Sequence, residues 1–324
     1  MMNRISPTQK KLLNLYKSFQ DFCNKNNLRF YAVAGTAIGA VRHHGFIPWD
    51  DDIDLGMPIM DFERLQKLTK KLPPSMGFMS SPWMGGKIYD TKTTVIDVRS
   101  LTHPNRYHGI YIDIFPLIGL PEEEAKRDHF IEDIKSFKTN AELLEYYPEV
   151  SNFSAKQIKD WRNYLIHAYD FETSSKLAGF SYFLCDGAGM RSSVIVQFED
   201  TTIPISSNYD WDLTNHFGDY MTPPPADQRY THNTYHFLDL KNPYSKYITE
   251  YSKISPWLKE IIEKKQIVEG QLTQYKDSLL YESKLKESAA AQSKLEILNS
   301  RDYKLGRKIL APFRKIKKGL QHGK

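Results

Sequence analysis

The densest chemical signal lies in GTAIGAVRHHGFIPWDDDIDLGMP, residues 35 to 58. If Ile53-Asp54-Leu55 is extended, alternate side chains share a face, so Asp52 and Asp54 project together while Ile53 and Leu55 turn into the core. Two carboxylates that close raise one another's pKa unless a cation is present, and hard oxygen ligands favour Mg²⁺ or Mn²⁺. A third carboxylate is wanted, and Asp113 in GIYIDIFP is the best candidate, because Ile112 and Ile114 flank it as buried neighbours would and Asp113 must face the other way. Asp50 and Asp51 stand at the strand entrance, where loop geometry decides whether either joins.

An acidic run is ordinarily a solvated loop, but a triple Asp joined to an alternating Asp-Ile-Asp-Leu segment is more than a charge run. A calcium loop would use Asp50, Asp52 and Asp54 as its first three ligands; its required glycine falls at Leu55 and its closing Glu at Asp61, so the pattern fails twice. Gly35-Thr36 ahead of a helix offers free backbone N–H groups and the positive dipole end, suited to a phosphate beside the metal. Arg42 can reach the same phosphate with its planar fork, a surface salt bridge being the alternative. His43 and His44 read as loop residues, because three carboxylates and donor phosphates already fill a Mg²⁺ shell.

The elements that must position these residues follow from spacing. Ser6-Pro7 opens a helix whose Leu12, Leu13, Tyr16, Phe19, Phe22 and Cys23 recur at helical intervals. LRFYAVAG reads as a strand ending at Gly35, with helical turns from Thr36 to Arg42. After the short Asp54 strand, Gly56-Met57-Pro58 reads as a break before a helix carrying Phe62, Leu65 and Leu68. Further strands are expected at Thr94 to Arg99 and Gly109 to Phe115, a largely helical stretch from about 121 to 190, and two short strands in SSVIVQFEDTTIPIS. Polar helices are expected over Ser255 to Ser300, with Val268, Leu272, Tyr275 and Leu279 on one stripe. The class is mixed α and β.

The 324 residues, 40% of them hydrophobic, can bury a full core. Two cysteines, Cys23 and Cys185, exclude a disulfide framework and a multi-cysteine zinc site, which fits a reducing compartment and predicts a cytoplasmic protein. MMNRISPTQKKLLNLYKSFQDF contains no unbroken apolar run, so neither a signal peptide nor a membrane span is expected. Residues 301 to 324 carry a local charge of +8 and leave −3 on the remainder, which argues against a nucleic-acid binder. Within this tail Leu305, Ile309, Phe313, Ile316 and Leu320 recur at helical spacing, as in a segment that lies on an anionic membrane surface.

Three blocks, AGTAIGAVRHHGFIPWDDDIDLGMP, YIDIFPL at 111 to 117, and FGDYMTPPP followed by Arg229 and His232, resemble the LicD family of phosphocholine transferases, relatives of the fukutin-type glycan-modifying enzymes. The resemblance covers most of residues 10 to 240. It implies an α+β fold with a nucleotidyltransferase-like mixed sheet flanked by helices. It also implies a divalent metal and transfer of phosphocholine, or a related phospho-alcohol group, from CDP-choline or a similar CDP-linked donor to a cell-surface glycan. By motif, Asp52 and Asp54 match the Asp-x-Asp metal pair, Asp113 the third carboxylate, Gly35 and Thr36 the turn beside the donor phosphates, and Trp49-Asp50 the approach to the pair. The sequence departs from the family where Asp200 follows Glu199 in place of glycine, so Glu199 receives no role; Arg229 with His232 can close over the site or merely pack, and packing is the favoured reading.

A choline head group would suit aromatic side chains, and Tyr31, Trp49, Trp83 and Tyr107 lie near the motifs. The expected organisation is a catalytic domain over residues 1 to 245 with a helical insert at about 121 to 190, a helical extension over 246 to 300, and the basic tail over 301 to 324. The rival reaction on the same fold is nucleotidyl transfer from a nucleoside triphosphate to a small acceptor.

Overall fold

The computed structural model describes residues 5–80, 85–97, 109–146, 151–179, 183–231 and 235–249. The helices expected over residues 255 to 300, the basic tail, Trp83, Tyr107 and His232 lie outside the described residues.

Helix α1 (Pro7–Lys25) begins where its chemistry dictates: Ser6 accepts from the Gln9 amide, Gln9 returns a bond to the Ser6 amide, and Pro7 occupies the first turn. Its Leu12, Tyr16 and Phe19 are buried against the sheet. Strand β1 (Tyr31–Ala32) leads into a short helix α2 (Ala34–Ile38), which widens to a π-turn over Gly39–His43. The helical turn begins at Ala34, ahead of the expected Thr36, and Gly35 lies inside it.

Strand β2 (Asp54–Pro58) is followed by α3 (Ile59–Leu68), β3 (Met76–Ser80), β4 (Gly86–Asp90), β5 (Thr94–Asp97) and β6 (Tyr111–Gly119). Gly56-Met57-Pro58, expected as a break, is instead the second half of β2. Gly56 pairs with Tyr31 on one side and Phe115 on the other, and Met57 is fully buried, so tertiary pairing overrides local propensity. A Cβ at Gly56 would come within 3.0–3.1 Å of Val33 and Leu117 side chains, which is why glycine stands there.

Beyond β6 come α4 (Glu124–Tyr146) and α5 (Ala155–His167), then β7 (Lys176–Gly179), β8 (Phe183–Asp186), α6 (Gly187–Arg191), the hairpin β9 (Val194–Phe198) and β10 (Thr201–Ile205), α7 (Tyr209–Phe217) and β11 (Tyr235–Asp239). The helical stretch expected to residue 190 therefore ends at His167, and β7 and β8 return the chain to the sheet. Strand β5 pairs with β11 in a separate ribbon.

The main sheet has the order β1-β2-β6-β4-β3, with β7 and then β8 joined through β6. Only β2 and β6 run parallel, so the sheet is mixed and the class α+β. Ile114 pairs with both Leu55 and Gly86, and Leu117 with both Pro58 and Gly179, so β2 takes one edge of β6 while β4 and β7 share the other. The Asp113 amide donates to Ile53 in the β2 direction, so by alternation position 116 faces the opposite edge. Pro116 thus falls in the gap between β4 and β7, where a missing N–H sacrifices no ladder bond. Ile53, Leu55, Ile88, Ile112 and Ile114 are fully buried beneath α1 and α3, each contributing about 1.5–3 kcal/mol of burial. Among the described residues no helix is long and apolar enough to cross a membrane.

Candidate active site

The parallel pairing of β2 and β6 sets Asp54 beside Asp113, and the antiparallel pairing of β6 and β4 sets Asp113 beside Lys87. These three residues form one cross-strand row and therefore share a face of the sheet. Lys87 Nζ lies 2.6 Å from Asp113 Oδ1 and 3.5 Å from the centre of the Tyr111 ring; the lysine is 7% exposed. Asp52 lies in the turn before β2 rather than in the strand, yet the alternation extends back to it: Ile53 is buried, while Asp52 and Asp54 are half-buried.

Burial pushes the Asp52 carboxyl well up, and Asp54, Asp50 and Asp113 push it further; Asp50 also hydrogen-bonds its side chain. Asp54 is likewise raised by burial, then by Asp113 and Asp50, with Lys87 offsetting part of the effect. Four carboxylates that penalise each other's charge in a buried setting are a donor set that fits a hard divalent cation. As placed, the side chains are not closed around one point: among the described residues, no three His, Cys, Asp or Glu form a ready-made ligand group. Asp113 is instead drawn to Lys87.

The turn ahead of the acids is anchored by its neighbours. Gln9, buried in α1, donates through Nε2 to the carbonyls of Ile47 and Asp50 at 3.2 and 2.8 Å, fixing the loop that carries Trp49 and Asp50. A Cβ on Gly35 would stand 2.9 Å from Asp50 Oδ2, so the absent side chain is what lets that carboxylate approach the turn. The Thr36 hydroxyl is buried and accepts from the Asp54 amide at 2.8 Å, so this side chain positions β2 and leaves only main chain for a phosphate. Ala34 adopts φ +48°, a left-handed conformation that costs a non-glycine residue about 1 kcal/mol or more, and such strain gathers at functional turns.

Arg42 lies on the π-turn. Its Nη1 donates to the Tyr220 carbonyl and its Nε to His43 Nε2 at 2.9 Å, while burial and the nearby Arg229 lower its pKa. Arg229 lies 5.0 Å from the Trp49 ring centre and donates to Pro224 at 2.8 Å. Of the two readings of Arg229, packing and closing over the site, its approach to Arg42 and Trp49 is the arrangement the second would need, and the two guanidinium groups repel each other in a manner an anion would relieve. Trp49 also meets His43 edge-on at 6.3 Å.

Lys87 escapes the sequence reading because β4 does; the Lys87-Ile88-Tyr89 alternation after Gly86 is the signal that could have found it. Glu199 does have a task. It occupies the β9–β10 turn at φ +53°, and its Oε1 accepts from the Phe46 amide at 2.9 Å, tying the hairpin to the loop after His44. Tyr31 is buried with Val33, Leu117 and Phe171, so it belongs to the core and not to an aromatic cage.

Residues 27–163 match the family model described as "LicD/FKTN/FKRP, nucleotidyltransferase domain". The chain is also 24% identical over 272 residues to the lipopolysaccharide cholinephosphotransferase LicD of Haemophilus influenzae, covering 72% of this chain and 97% of that protein. A LicD-family domain therefore spans residues 27–163 of this chain. The matched domain holds β1, α2, β2, β4 and β6, and hence every aspartate of the row and the turn that faces it. An uncharacterized protein of Rickettsia prowazekii is 31% identical over 162 residues, 48% of this chain and 58% of that one. The likeness to the Haemophilus LicD reaches beyond the matched domain, since 72% of this chain is more than residues 27–163 can supply.

Proposed function

We propose that this chain transfers phosphocholine, or a closely related phospho-alcohol group, from a CDP-linked donor to a hydroxyl of a cell-surface glycan. The observation that carries the reading is the Asp54–Asp113–Lys87 row with Asp52 and Asp50 beside a strained turn whose Gly35 has no side chain, in a chain similar to a cholinephosphotransferase over nearly that protein's whole length.

Asp52, Asp54 and Asp113 are the proposed holders of Mg²⁺ or Mn²⁺, which when bound would neutralise the donor's phosphate oxygens and the departing cytidine monophosphate. The protein's own contribution is placement. The turn at Gly35 presents main chain to the donor, with Trp49 and Asp50 beside it, and Arg42 and Arg229 supply positive charge for phosphate oxygens. The acceptor oxygen bonds to the phosphorus bearing choline as the bond from that phosphorus to the cytidine monophosphate oxygen breaks. The hydroxyl proton passes to a carboxylate, for which Asp113 is proposed, and Lys87, 2.6 Å from its Oδ1, holds that carboxylate in place. A lipid-linked acceptor would be met at an anionic membrane surface through residues 301 to 324, on the cytoplasmic face.

The test is release of cytidine monophosphate from choline, ethanolamine, glycerol and ribitol forms of the donor, with Mg²⁺, extracted glycan, and Asp52→Ala as control. Release from one donor, dependent on metal and on Asp52, supports the reading. Turnover of a nucleoside triphosphate and of no cytidine donor would replace it with the nucleotidyl-transfer alternative.

A further inference from the structure

Helix α7 packs against α2 and β8, and between them lies a small cavity that opens to solvent. Its lining residues include Ala34 of the strained turn, the aromatic residues Phe183, Tyr209, His216 and Phe217, and Asp212. Asp212 is 9% exposed. Its Oδ1 accepts from the Asp186 amide at 2.6 Å, while its Oδ2 is buried without a hydrogen-bond partner. Ser206 and the charge of Lys176 offset part of the burial cost of the carboxyl, but the Lys176 ammonium lies 3.5 Å from Asp186 Oδ1 and 3.6 Å from the centre of the Trp211 ring. Burial lowers the pKa of His216, so that ring is a neutral wall near pH 7 rather than a competing cation.

We propose that this cavity receives the quaternary ammonium of the donor's choline, with Asp212 as counter-ion and the four rings as its box. The proposal rests on the phosphocholine-transfer reading and identifies the part of the protein that selects the cargo. An unpartnered buried carboxylate oxygen is expensive unless a positive charge joins it. Aromatic faces attract a cation electrostatically, most strongly where water is excluded. A primary ammonium would need three acceptors, and besides Asp212 and the His216 ring the lining offers only the Ser206 and Tyr209 hydroxyls among apolar side chains, whereas a quaternary ammonium has no N–H to satisfy.

The cavity also lies at the right place along the chain. Val33, another of its walls, donates its amide to the Asp54 carbonyl at 3.1 Å, and Gly35, one residue past Ala34, faces Asp50. A phosphate at the turn and an ammonium in the cavity would thus meet adjacent residues of the same segment, Gly35 and Ala34.

Calorimetric titration of CDP-choline and CDP-glycerol into the full chain with Mg²⁺ tests the proposal in wild type, Asp212→Asn and Phe217→Ala. The first variant keeps the oxygen that accepts from Asp186 and removes the charge; the second trims a ring that is 42% exposed and leaves the core intact. Each is expected to weaken CDP-choline about tenfold, a cation–π-sized effect, and to leave CDP-glycerol unchanged. CDP-glycerol binding reports that a variant is folded, and if Asp212→Asn fails that check Phe217→Ala decides. A choline preference that survives in the folded variants would overturn the cavity's role and leave the phosphocholine reading standing. Wild type that binds neither donor, or prefers CDP-glycerol, would overturn both.

Discussion

Replacing Lys87 with Met separates charge compensation from packing in the carboxylate row. The methionine retains most of the buried stem but removes the ammonium that stands 2.6 Å from Asp113, where the side chains are 9% and 17% exposed. Deleting one partner of a buried pair costs about 3–5 kcal/mol, because the other charge is left uncompensated. Here that charge would face Asp54 and Asp52 as well, which places the expected loss at the upper end of the range. For a folded unit of this size, 1 kcal/mol corresponds to about 2–4 °C, so Lys87→Met should melt roughly 10–20 °C below wild type at about pH 7.5 in chelator. Mg²⁺ should recover much of the loss and raise the variant's melting temperature by more than the wild type's, since a divalent cation replaces the missing positive charge. Thermal melts in chelator and in a Mg²⁺ series provide the assay. An equal loss with and without metal would show that Lys87 acts through packing alone and would refute the electrostatic reasoning.

Three further outcomes are expected. Asp54→Asn should lower donor turnover roughly a hundredfold or more while raising the metal-free melting temperature, because it removes one of the mutually repelling carboxylates; a variant that is both active and unstable would contradict this. Gly35→Ala puts a Cβ 2.9 Å from Asp50 Oδ2, so donor affinity should fall while circular dichroism and melting stay close to wild type. Burial raises the Asp212 pKa from 3.8 to about 6, so its contribution to stability is full below about pH 4 and is lost as the pH rises through about 6. Stability measured by urea titration should therefore fall across that window, and Asp212→Asn should flatten this part of the profile.

The acid row is legible in the sequence because one buried face gives it a period of two: Ile53 and Leu55, then Ile112 and Ile114, fix where Asp52, Asp54 and Asp113 must point. The first helix is legible for an equally local reason, the Ser6–Gln9 capping box and its apolar stripe. What the sequence does not disclose depends on partners distant along the chain. Gly56-Met57-Pro58 has turn composition and becomes strand only because β6 pairs with it. Strand β4 carries Lys87 inward, a placement that becomes acceptable only when Asp113 lies in the neighbouring strand. The approach of Arg229 to Trp49 joins residues 180 positions apart, and no periodicity encodes it. Tyr31 and Trp49 suggest themselves for choline because they adjoin the motifs, whereas the ring-lined cavity is built from β8 and α7, and a helical reading of 121 to 190 obscures the first of these.

The most direct measurement follows the phosphorus itself. CDP-choline carrying ³²P on the phosphate that bears choline is incubated with the protein, Mg²⁺ and extracted glycan, and the glycan is separated from nucleotides. Label in the glycan, released as phosphocholine and absent with Asp52→Ala, is the expected result. Label that stays with the nucleotide, or a glycan labelled only when the phosphate next to cytidine carries the isotope, would contradict phosphocholine transfer.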